Sequence, residues 1–417
     1  MTTDARADAP AGRAPRGGRR NLLRLLGPAF VAAIAYVDPG NVAANLTAGA
    51  GYGYLLLWVL VVANAMAVLV QYLSAKLAVV SGRTLPEALR DRLGRRSRLA
   101  YWAQAELVAV ATDLAEVIGG AVALHLLFGT PLLVGGIITG AVSLAVLALQ
   151  NRRGVRRFEA VIIGMLAVIV VGFVSGVVLS PPDPAEAAAG LIPRFDGAET
   201  VLLAASMLGA TVMPHAVYLH SAMARDHHGA VAPAQRRRVL GATRIDVVAA
   251  LVVAGLVNIS MLLLAASALR GVEGTDTLEG AHAAVSAHLG TGAALLFAIG
   301  LLASGLASTS VGAYAGAVIM QGLLRIDVPL LLRRAVTLIP ALVCLGIGVD
   351  PTRALIVSQV VLSFGIPFAL IPLVALTSSK DLMGEHVNRP GTRVFATVAV
   401  GLVVALNLAL LYLTFLG

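Results

Sequence analysis

The apolar residues of this chain lie in long unbroken blocks, and this pattern restricts the fold more than any other feature of the sequence. Hydrophobic residues make up 58% of the 417 residues and charged residues only 13%. The blocks lack the alternation expected of a water-soluble core. They match the roughly 20 apolar residues that a helix needs to cross a bilayer core about 30 Å thick. The pattern excludes an ordinary soluble enzyme and predicts an all-α integral membrane protein.

Eleven such blocks predict eleven transmembrane helices. The predicted spans lie near Leu22–Ala48, Tyr54–Val80, Ala100–Phe128, Pro131–Leu149, Phe158–Leu179, Glu199–Met223, Ile245–Ala268, Thr291–Leu324, Leu330–Val349, Pro351–Leu376 and Thr392–Phe415. Residues 1–20 are rich in Ala, Arg, Gly and Pro, and they predict a disordered cytoplasmic tail rather than a cleaved signal peptide. Residues 21–417 then form a single transmembrane domain.

The basic residues alternate from loop to loop. If the amino terminus is cytoplasmic, 28 of the 31 Lys and Arg residues fall on the inner side, and only Arg194, Arg270 and Arg353 fall outside. This asymmetry follows the positive-inside rule, and with eleven spans it puts the carboxyl terminus outside the cytoplasmic membrane. The net charge of +9 therefore reflects membrane topology, and no nucleic-acid partner is expected.

The first predicted span is interrupted by the sequence Asp38-Pro39-Gly40-Asn41. A proline frees backbone carbonyls from the helical ladder, and open backbone is tolerated at membrane depth only where protein or a water-filled cavity surrounds it. An ionisable residue at this depth indicates a functional site. The alternative is a simple kink in which Asp38 caps a half-helix. A serine would do that without burying a charge, so we favour a functional role.

The sixth predicted span carries a matching interruption, Thr211-Val212-Met213-Pro214-His215. Paired broken segments in two halves of a chain are typical of transporters built from inverted repeats, with the binding site near the bilayer midplane. Aligning Pro39 with Pro214 gives repeats of about 21–180 and 195–376, each of five spans, with an extra helix at about 392–415.

The groups at the two interruptions are a carboxylate, an amide oxygen, freed carbonyls and a thioether. The oxygens suit any hard divalent cation, whereas the thioether of Met213 favours softer ions such as Mn²⁺ and Fe²⁺. The alternative is that Met213 only fills a gap in the core. Its place beside Pro214, opposite Asp38, favours the ligand role.

Other titratable groups suggest proton movement. A proton can compete with a metal ion at Asp38. Asp113 and Glu116 share one face of the third span, although either acid could instead form a structural hydrogen bond to a neighbouring helix. His215 and His220 lie in or near the sixth span and are candidate proton relays or buried structural histidines.

The motifs DPGN at Asp38–Asn41 and MPH at Met213–His215 resemble the Nramp family of proton-coupled divalent metal transporters. Supporting matches are ATDLAEVIGG at Ala111–Gly120, ASGLASTSVGAYAG at Ala303–Gly316 and SQVVLSFGIPFALIPL at Ser358–Leu373. The resemblance covers nearly the whole chain. It implies a LeuT-like fold that imports Mn²⁺ or Fe²⁺, and often Cd²⁺ or Co²⁺, as a transported substrate rather than a resident cofactor.

The resemblance also implies roles for individual residues. Asp38, Asn41, Met213 and the backbone carbonyl of Ala210 would bind the metal ion. The carbonyl of Ala35 and the side chain of Gln359 would join them in one conformational state. The proton route would include Asp113 and Glu116 with Arg334 as a partner. Arg333 could belong to the same group or could simply extend toward the inner membrane edge, as arginines there commonly do.

Two other classes of function remain as alternatives. A Na⁺-coupled amino-acid transporter of the same architecture would also break its first and sixth helices, but Asp38 would repel the substrate carboxylate. A membrane enzyme or receptor is disfavoured because the sequence has no HExxH motif and no sensor domain. The single Cys344 excludes a disulfide framework, and the absence of a GxxxxGK[ST] motif argues against ATP-driven pumping.

Overall fold

The computed structural model describes residues 27–153 and 155–415 of the chain. All regular secondary structure in these ranges is helical, as expected where backbone polar groups must be satisfied within a bilayer. The disordered tail expected at residues 1–20 and the expected start of the first span at Leu22 lie outside the described residues.

The α-helices are labelled in chain order. The first eight are α1 (Pro28–Ala33), α2 (Pro39–Tyr52), α3 (Leu57–Ser81), α4 (Leu85–Arg90), α5 (Arg95–Phe128), α6 (Leu132–Arg153), α7 (Val155–Leu179) and α8 (Pro184–Ala189). The others are α9 (Gly197–Thr211), α10 (Pro214–His228), α11 (Pro233–Ala268), α12 (Leu278–Leu289), α13 (Thr291–Leu324), α14 (Leu330–Gly346), α15 (Pro351–Thr377), α16 (Lys380–Met383) and α17 (Pro390–Phe415). Short 3-10 turns lie at Ile34–Val37 and Gly384–His386.

Every predicted span coincides with one of these helices or with a broken pair. The pair α1 and α2 forms the first span, and the pair α9 and α10 forms the sixth. Within the described ranges, eight segments are long and apolar enough to cross a membrane, whereas Pro28–Val37 and Leu132–Val146 are shorter apolar helices. The all-helical membrane fold is confirmed, and the count of eleven crossings stays a prediction.

Several helices extend beyond the predicted spans. Helix α5 begins at Arg95 rather than Ala100, and α11 begins at Pro233 rather than Ile245. Hydropathy indicates where a segment leaves the hydrocarbon core of the bilayer. The backbone hydrogen bonds of a helix are local, so the helix can extend beyond that point into water. The basic residues at these ends therefore stand on helices rather than on loops.

The broken spans lie in the interior of the helix bundle. Helix α2 packs between α9 and α11, while α9 also packs against α15. Most residues of α2, α9 and α10 are buried. By contrast, α7 and α17 expose large apolar side chains such as Val171 and Val398, as expected of helices that face lipid. The backbone openings at the two breaks are therefore surrounded by protein.

Candidate metal site

The first break follows a 3-10 turn and is centred on Asp38. The backbone of Asp38 is extended (φ −72°, ψ 168°), and α2 begins at Pro39, where a proline needs no hydrogen-bond acceptor. One carboxylate oxygen, Oδ1, accepts a hydrogen bond of 2.8 Å from the backbone N–H of Asn41. Asp38 therefore caps the half-helix, as the alternative of a simple kink expected. The cap uses only the Oδ1 oxygen of the carboxylate, and Oδ2 takes no part in it.

The second break repeats this backbone arrangement with a different side chain. Helix α9 ends at Thr211, and the N–H of Val212 donates to the carbonyl of Leu208 at 2.8 Å. Met213 is then extended (φ −68°, ψ 118°), and α10 begins at Pro214. The Met213 side chain is fully buried and caps nothing.

The two prolines determine which carbonyls are freed. In an α-helix each N–H bonds to the carbonyl four residues earlier, and proline has no N–H to donate. Pro39 therefore cannot use the carbonyl of Ala35, and Pro214 cannot use the carbonyl of Ala210. The Ala210 oxygen instead accepts a 2.9 Å hydrogen bond from Nδ2 of Asn41. This contact joins the second break directly to the first.

Asn41 is the centre of the polar contacts at the site. Its Nδ2 donates to Asp38 Oδ1 at 2.6 Å as well as to Ala210. Its own Oδ1 is buried and has no hydrogen-bond partner in the described part of the chain. An unpaired buried acceptor costs about 1–3 kcal/mol, and a bound cation would satisfy it.

Gln359 of α15 approaches the same carboxylate from the opposite side. Its Nε2 lies 3.3 Å from Asp38 Oδ2, and its Oε1 is buried with no partner among the described residues. Two glycines permit this approach. A Cβ at Gly40 would overlap the Gln359 side chain, and a Cβ at Gly209 would overlap the Gln359 backbone carbonyl.

The donor set suits a single divalent cation of intermediate softness. Asp38 supplies one negative charge, Asn41 and Gln359 each offer an unpaired oxygen, and Met213 adds a thioether at the start of α10. Within the described residues, no group of three or more His, Cys, Asp or Glu side chains could hold a metal ion. Resident zinc and iron sites are commonly built from several His, Cys or carboxylate ligands, whereas this site offers one carboxylate with neutral oxygens and a thioether.

The family model described as "Natural resistance-associated macrophage protein-like" matches residues 29–413. The chain belongs to the Nramp family. It is 61% identical over 394 residues to the divalent metal cation transporter MntH of Mycobacterium tuberculosis strain H37Rv, covering 94% of this chain and 92% of that protein. The expectation drawn from the DPGN and MPH motifs is confirmed.

Solved structures agree with the Nramp assignment. The crystal structure of the Eremococcus coleocola manganese transporter with an aromatic bis-isothiourea substituted compound matches with a TM-score of 0.86 at 32% identity, covering 96% of this chain and 88% of that one. MhsT in complex with L-phenylalanine matches with a TM-score of 0.62 at 12% identity, covering 97% and 99% of the two chains. The second likeness shows the fold alone, and it confirms the expected LeuT-like architecture.

In this Nramp chain, the acids of α5 follow one another along the helix from the candidate metal site. A Cβ at Gly119 would overlap the ring of Pro39, so α5 touches the first break directly. Glu116 lies one turn away, fully buried, and its Oε2 has no hydrogen-bond partner within the described ranges. Asp113 follows and forms a 2.7 Å ion pair with Arg334, whose side chain is also fully buried. The expected contact between Asp113 and Arg334 is therefore present, whereas a proton route through these residues and Glu116 stays a prediction.

The two histidines belong to different networks. Nδ1 of His215 lies 3.3 Å from the hydroxyl of Thr112, next to Asp113 on α5. Nδ1 of His220 lies 2.6 Å from Oε1 of Gln71, whose amide donates to the hydroxyl of Tyr36. His215 therefore lies beside the acids of α5, whereas His220 connects to the turn that precedes Asp38.

Sequence reasoning missed several polar partners of the site. Arg333 is 4% exposed and pairs with Glu106 at 2.7 Å, an ion-pair partner that the sequence analysis did not name. The amide of Asn258 donates to the Tyr36 carbonyl at 2.7 Å. The hydroxyl of Ser304 donates to the Val37 carbonyl at 2.5 Å. In the sequence, each of these residues is visible only as a single polar residue within an apolar span. Such a residue does not indicate which other residue it contacts.

Proposed function

We propose that this chain is a secondary transporter that imports a divalent transition metal ion, Mn²⁺ or Fe²⁺, together with protons. The names of its relatives support the substrate class, since one is a divalent metal cation transporter and another a manganese transporter. The observation that carries the proposal is the contact of Asn41 with both Asp38 and the carbonyl of Ala210. It joins a charge from one broken helix to a freed carbonyl from the other.

The proposed metal ligands are Asp38, Asn41, Met213 and the carbonyl of Ala210. Asp38 balances one of the two positive charges, while the neutral donors complete the shell without holding the ion too tightly. Gln359 and the carbonyl of Ala35 would enter the shell in one conformational state. The Gln359 amide now donates to Asp38, so its carbonyl oxygen would have to turn toward the ion.

The proton route is proposed to begin at Asp38, where a proton and a metal ion compete for the same carboxylate. Glu116 lies closest to the first break among the acids of α5, and Asp113 with Arg334 follows along the same face. His215 would exchange protons with Asp113 and Glu116 through the hydroxyl of Thr112. His220 would take up or release a proton within its hydrogen-bond network with Gln71 and Tyr36. A chain of buried titratable groups within a membrane protein is typical of a proton relay.

We also propose the orientation and the repeat. The basic segments place the amino terminus in the cytoplasm and the carboxyl terminus on the outer face of the cell's inner membrane, surrounded by lipid bilayer. The matched local geometry at Asp38-Pro39 and Met213-Pro214 supports repeats at about 21–180 and 195–376, with the helix at about 392–415 outside them. Transport would run on ion gradients without ATP.

A proteoliposome assay tests this function. Purified protein is reconstituted at inside-negative potential with an internal pH dye, and Mn²⁺ is offered with and without excess Mg²⁺ and Ca²⁺. We expect Mn²⁺ entry with internal acidification, resistance to both competitors and loss of uptake in Asp38→Ala. Protein that is folded and inserted but carries no metal would contradict the proposal.

The same vesicles address the amino-acid alternative. A Na⁺-coupled carrier would accumulate an amino acid in a Na⁺ gradient, and Asp38→Ala would spare that activity. The likeness to MhsT does not favour this reading, because at 12% identity it shows only the fold. The buried carboxylate of Asp38 would repel the carboxylate of an amino acid.

A further inference from the structure

A cavity of about 940 Å³ opens between α3, α11 and α17, away from the metal site and from the acids of α5. Four cationic side chains line it: Lys76, Arg237, Arg244 and Arg389. The single carboxylate among its lining residues is Glu385, which is 84% exposed and lies 3.5 Å from His386. Glu385 is therefore largely directed to water, and the cavity keeps a strong positive charge.

The positive charge of the cavity has no counter-ion at Lys76. The residue is 7% exposed, and its Nζ donates to the neutral amide oxygen of Asn388 at 2.8 Å. In the part of the chain that the structure describes, no carboxylate pairs with Lys76 or with the three cavity arginines. A buried ammonium group is costly unless an anion accompanies it. An anion in the cavity would supply the missing charge.

The deeper half of the cavity is apolar. Lys76 and Ala65 both line it and stand eleven residues apart on α3, which corresponds to about 16 Å along the helix axis. On α11, Arg237 and Arg244 precede the predicted start of the seventh span at Ile245, and Val248 lies just inside it. One leaflet of the hydrocarbon core is about 15 Å thick. The basic half thus lies at headgroup level, and the apolar half runs along the length of an acyl chain.

The cavity also opens toward the bilayer. Val248 and Phe395 line it and are 40% and 48% exposed, on helices whose outer faces carry other exposed apolar side chains. A soluble phosphate would occupy only the basic half and leave the apolar half unfilled. A molecule with a phosphate and acyl chains fills both.

We infer that this cavity binds one anionic phospholipid from the cytoplasmic leaflet. Its phosphate lies among the four cations, and its acyl chains run along α3 and α11. Basic pockets between transmembrane helices on the cytoplasmic side are suited to such headgroups. The inference rests on the orientation proposed above but not on the identity of the transported ion.

The bound lipid would also hold α17 to the bundle. Lys76 on α3 is linked through Asn388 to the hydroxyl of Thr377, at the end of α15, by a 2.7 Å hydrogen bond. Arg389 stands just before α17, and Arg237 and Arg244 belong to α11. A shared phosphate would therefore tie α3, α11 and α17 together at their cytoplasmic ends.

The test is native mass spectrometry of the full chain in mixed micelles. The micelles contain equal amounts of phosphatidylglycerol and phosphatidylcholine with the same acyl chains. We expect phosphatidylglycerol adducts on the native protein to exceed phosphatidylcholine adducts about tenfold, and Arg237→Gln with Arg244→Gln to reduce the ratio to about one. The matched control, Arg236→Gln with Arg238→Gln, removes the same charge from the same helix outside the cavity and should keep the preference.

Equal retention of both lipids by the native protein would overturn the inference, as would equal loss of preference in the two paired variants. Lys76→Gln provides a second variant and should also weaken phosphatidylglycerol binding. A thermal-unfolding experiment distinguishes a lipid phosphate from a soluble phosphate.

Phosphatidylglycerol should raise the midpoint temperature of unfolding of the native protein, and excess inorganic phosphate should not. An equal rise with inorganic phosphate alone would assign the cations to a soluble anion and overturn the lipid site.

Discussion

The two breaks share one backbone design and differ in the residue that precedes the proline. Each consists of an extended residue followed by a proline at the first position of the next helix. Asp38 caps its half-helix and carries the charge of the site, whereas Met213 caps nothing and is fully buried. The proline therefore opens the helix, and the side chain before it determines the chemistry at the opening.

The surroundings of the breaks differ as well. The first break faces Gln359 and the second half-helix, so its contacts are those of a binding site. The second continues into His215, which reaches Thr112 on α5, and α10 ends near Arg225, which pairs with Glu87 at 2.8 Å. We interpret the first break as the main source of binding charge, and both breaks as contacts with the titratable groups of α5, the first through Gly119 and the second through His215.

The largest expected effect comes from a substitution that removes the charge of Asp38 but keeps its helix-capping oxygen. Asp38→Ser keeps a capping oxygen for the Asn41 N–H but removes the carboxylate, so the protein should fold while Mn²⁺ uptake falls to background. Uptake in proteoliposomes, with insertion checked by protease accessibility, measures this. Near-native uptake by Asp38→Ser would show that the first break needs only a helix cap.

The next effect concerns the ion pair beside the second break. Arg334→Gln leaves Asp113 buried without its partner, and breaking a buried pair costs about 3–5 kcal/mol. We expect a lower thermal midpoint and loss of metal-driven acidification, with Mn²⁺ binding retained. The double variant Arg334→Gln with Asp113→Asn should recover part of the midpoint but not the acidification. Normal acidification in the folded double variant would remove this pair from the proton route.

Gly209→Ala tests the close contact between α9 and α15. The new Cβ would overlap the carbonyl oxygen of Gln359, so the helices must separate at a cost of about 1–3 kcal/mol. Metal affinity should fall as the second break moves away from Gln359. Gly164→Ala on α7 is the control, because a Cβ there meets nothing within 4 Å. Equal calorimetric affinities for both variants would show that this spacing does not matter.

Met213→Ala tests the role assigned to the second break. Mn²⁺ uptake should persist, because the oxygens remain, while Ca²⁺ and Mg²⁺ should compete about tenfold better once the thioether is gone. Competition curves in the uptake assay measure the change. Met213→Leu keeps the apolar volume and should behave like the alanine variant. Unchanged competition in both would return Met213 to the role of core filler.

The smallest effect lies at the carboxyl-terminal end of α10. Partial burial alone would raise the pKa of Glu87, but the hydrogen bond from the Thr84 N–H and the charge of Arg225 outweigh it, and the pKa is lowered. A lowered carboxyl pKa adds stability above the unfolded-state pKa, and this stability is lost as pH falls through the folded-state pKa. Glu87→Gln should cost less than about 1 kcal/mol at neutral pH after solvent screening. This cost should shrink as pH falls through the lowered folded-state pKa, and a pH-independent cost in thermal midpoints would contradict the assignment.

The sequence predicts the helical segments and the two breaks because both leave local signals. Apolar blocks of bilayer length mark the spans, and Asp38-Pro39 and Met213-Pro214 mark the interruptions. The helical extension before Ile245 was missed because hydropathy follows the bilayer rather than the backbone hydrogen bonds. The Glu106–Arg333 pair and the Tyr36–Gln71–His220 network were also missed, since each joins isolated polar residues that only packing brings together.

The central claim is that both breaks contribute ligands to one ion, and X-ray absorption of bound Cd²⁺ tests it most directly. The purified Cys344→Ser protein is used, so that the only sulfur atoms are thioethers. The account predicts a shell of oxygen neighbours with one sulfur, loss of the sulfur in Met213→Leu, and loss of binding in Asp38→Ala. A shell of oxygen and nitrogen alone in the parent, unchanged by Met213→Leu, would show that the second break supplies no side-chain ligand and would contradict the account.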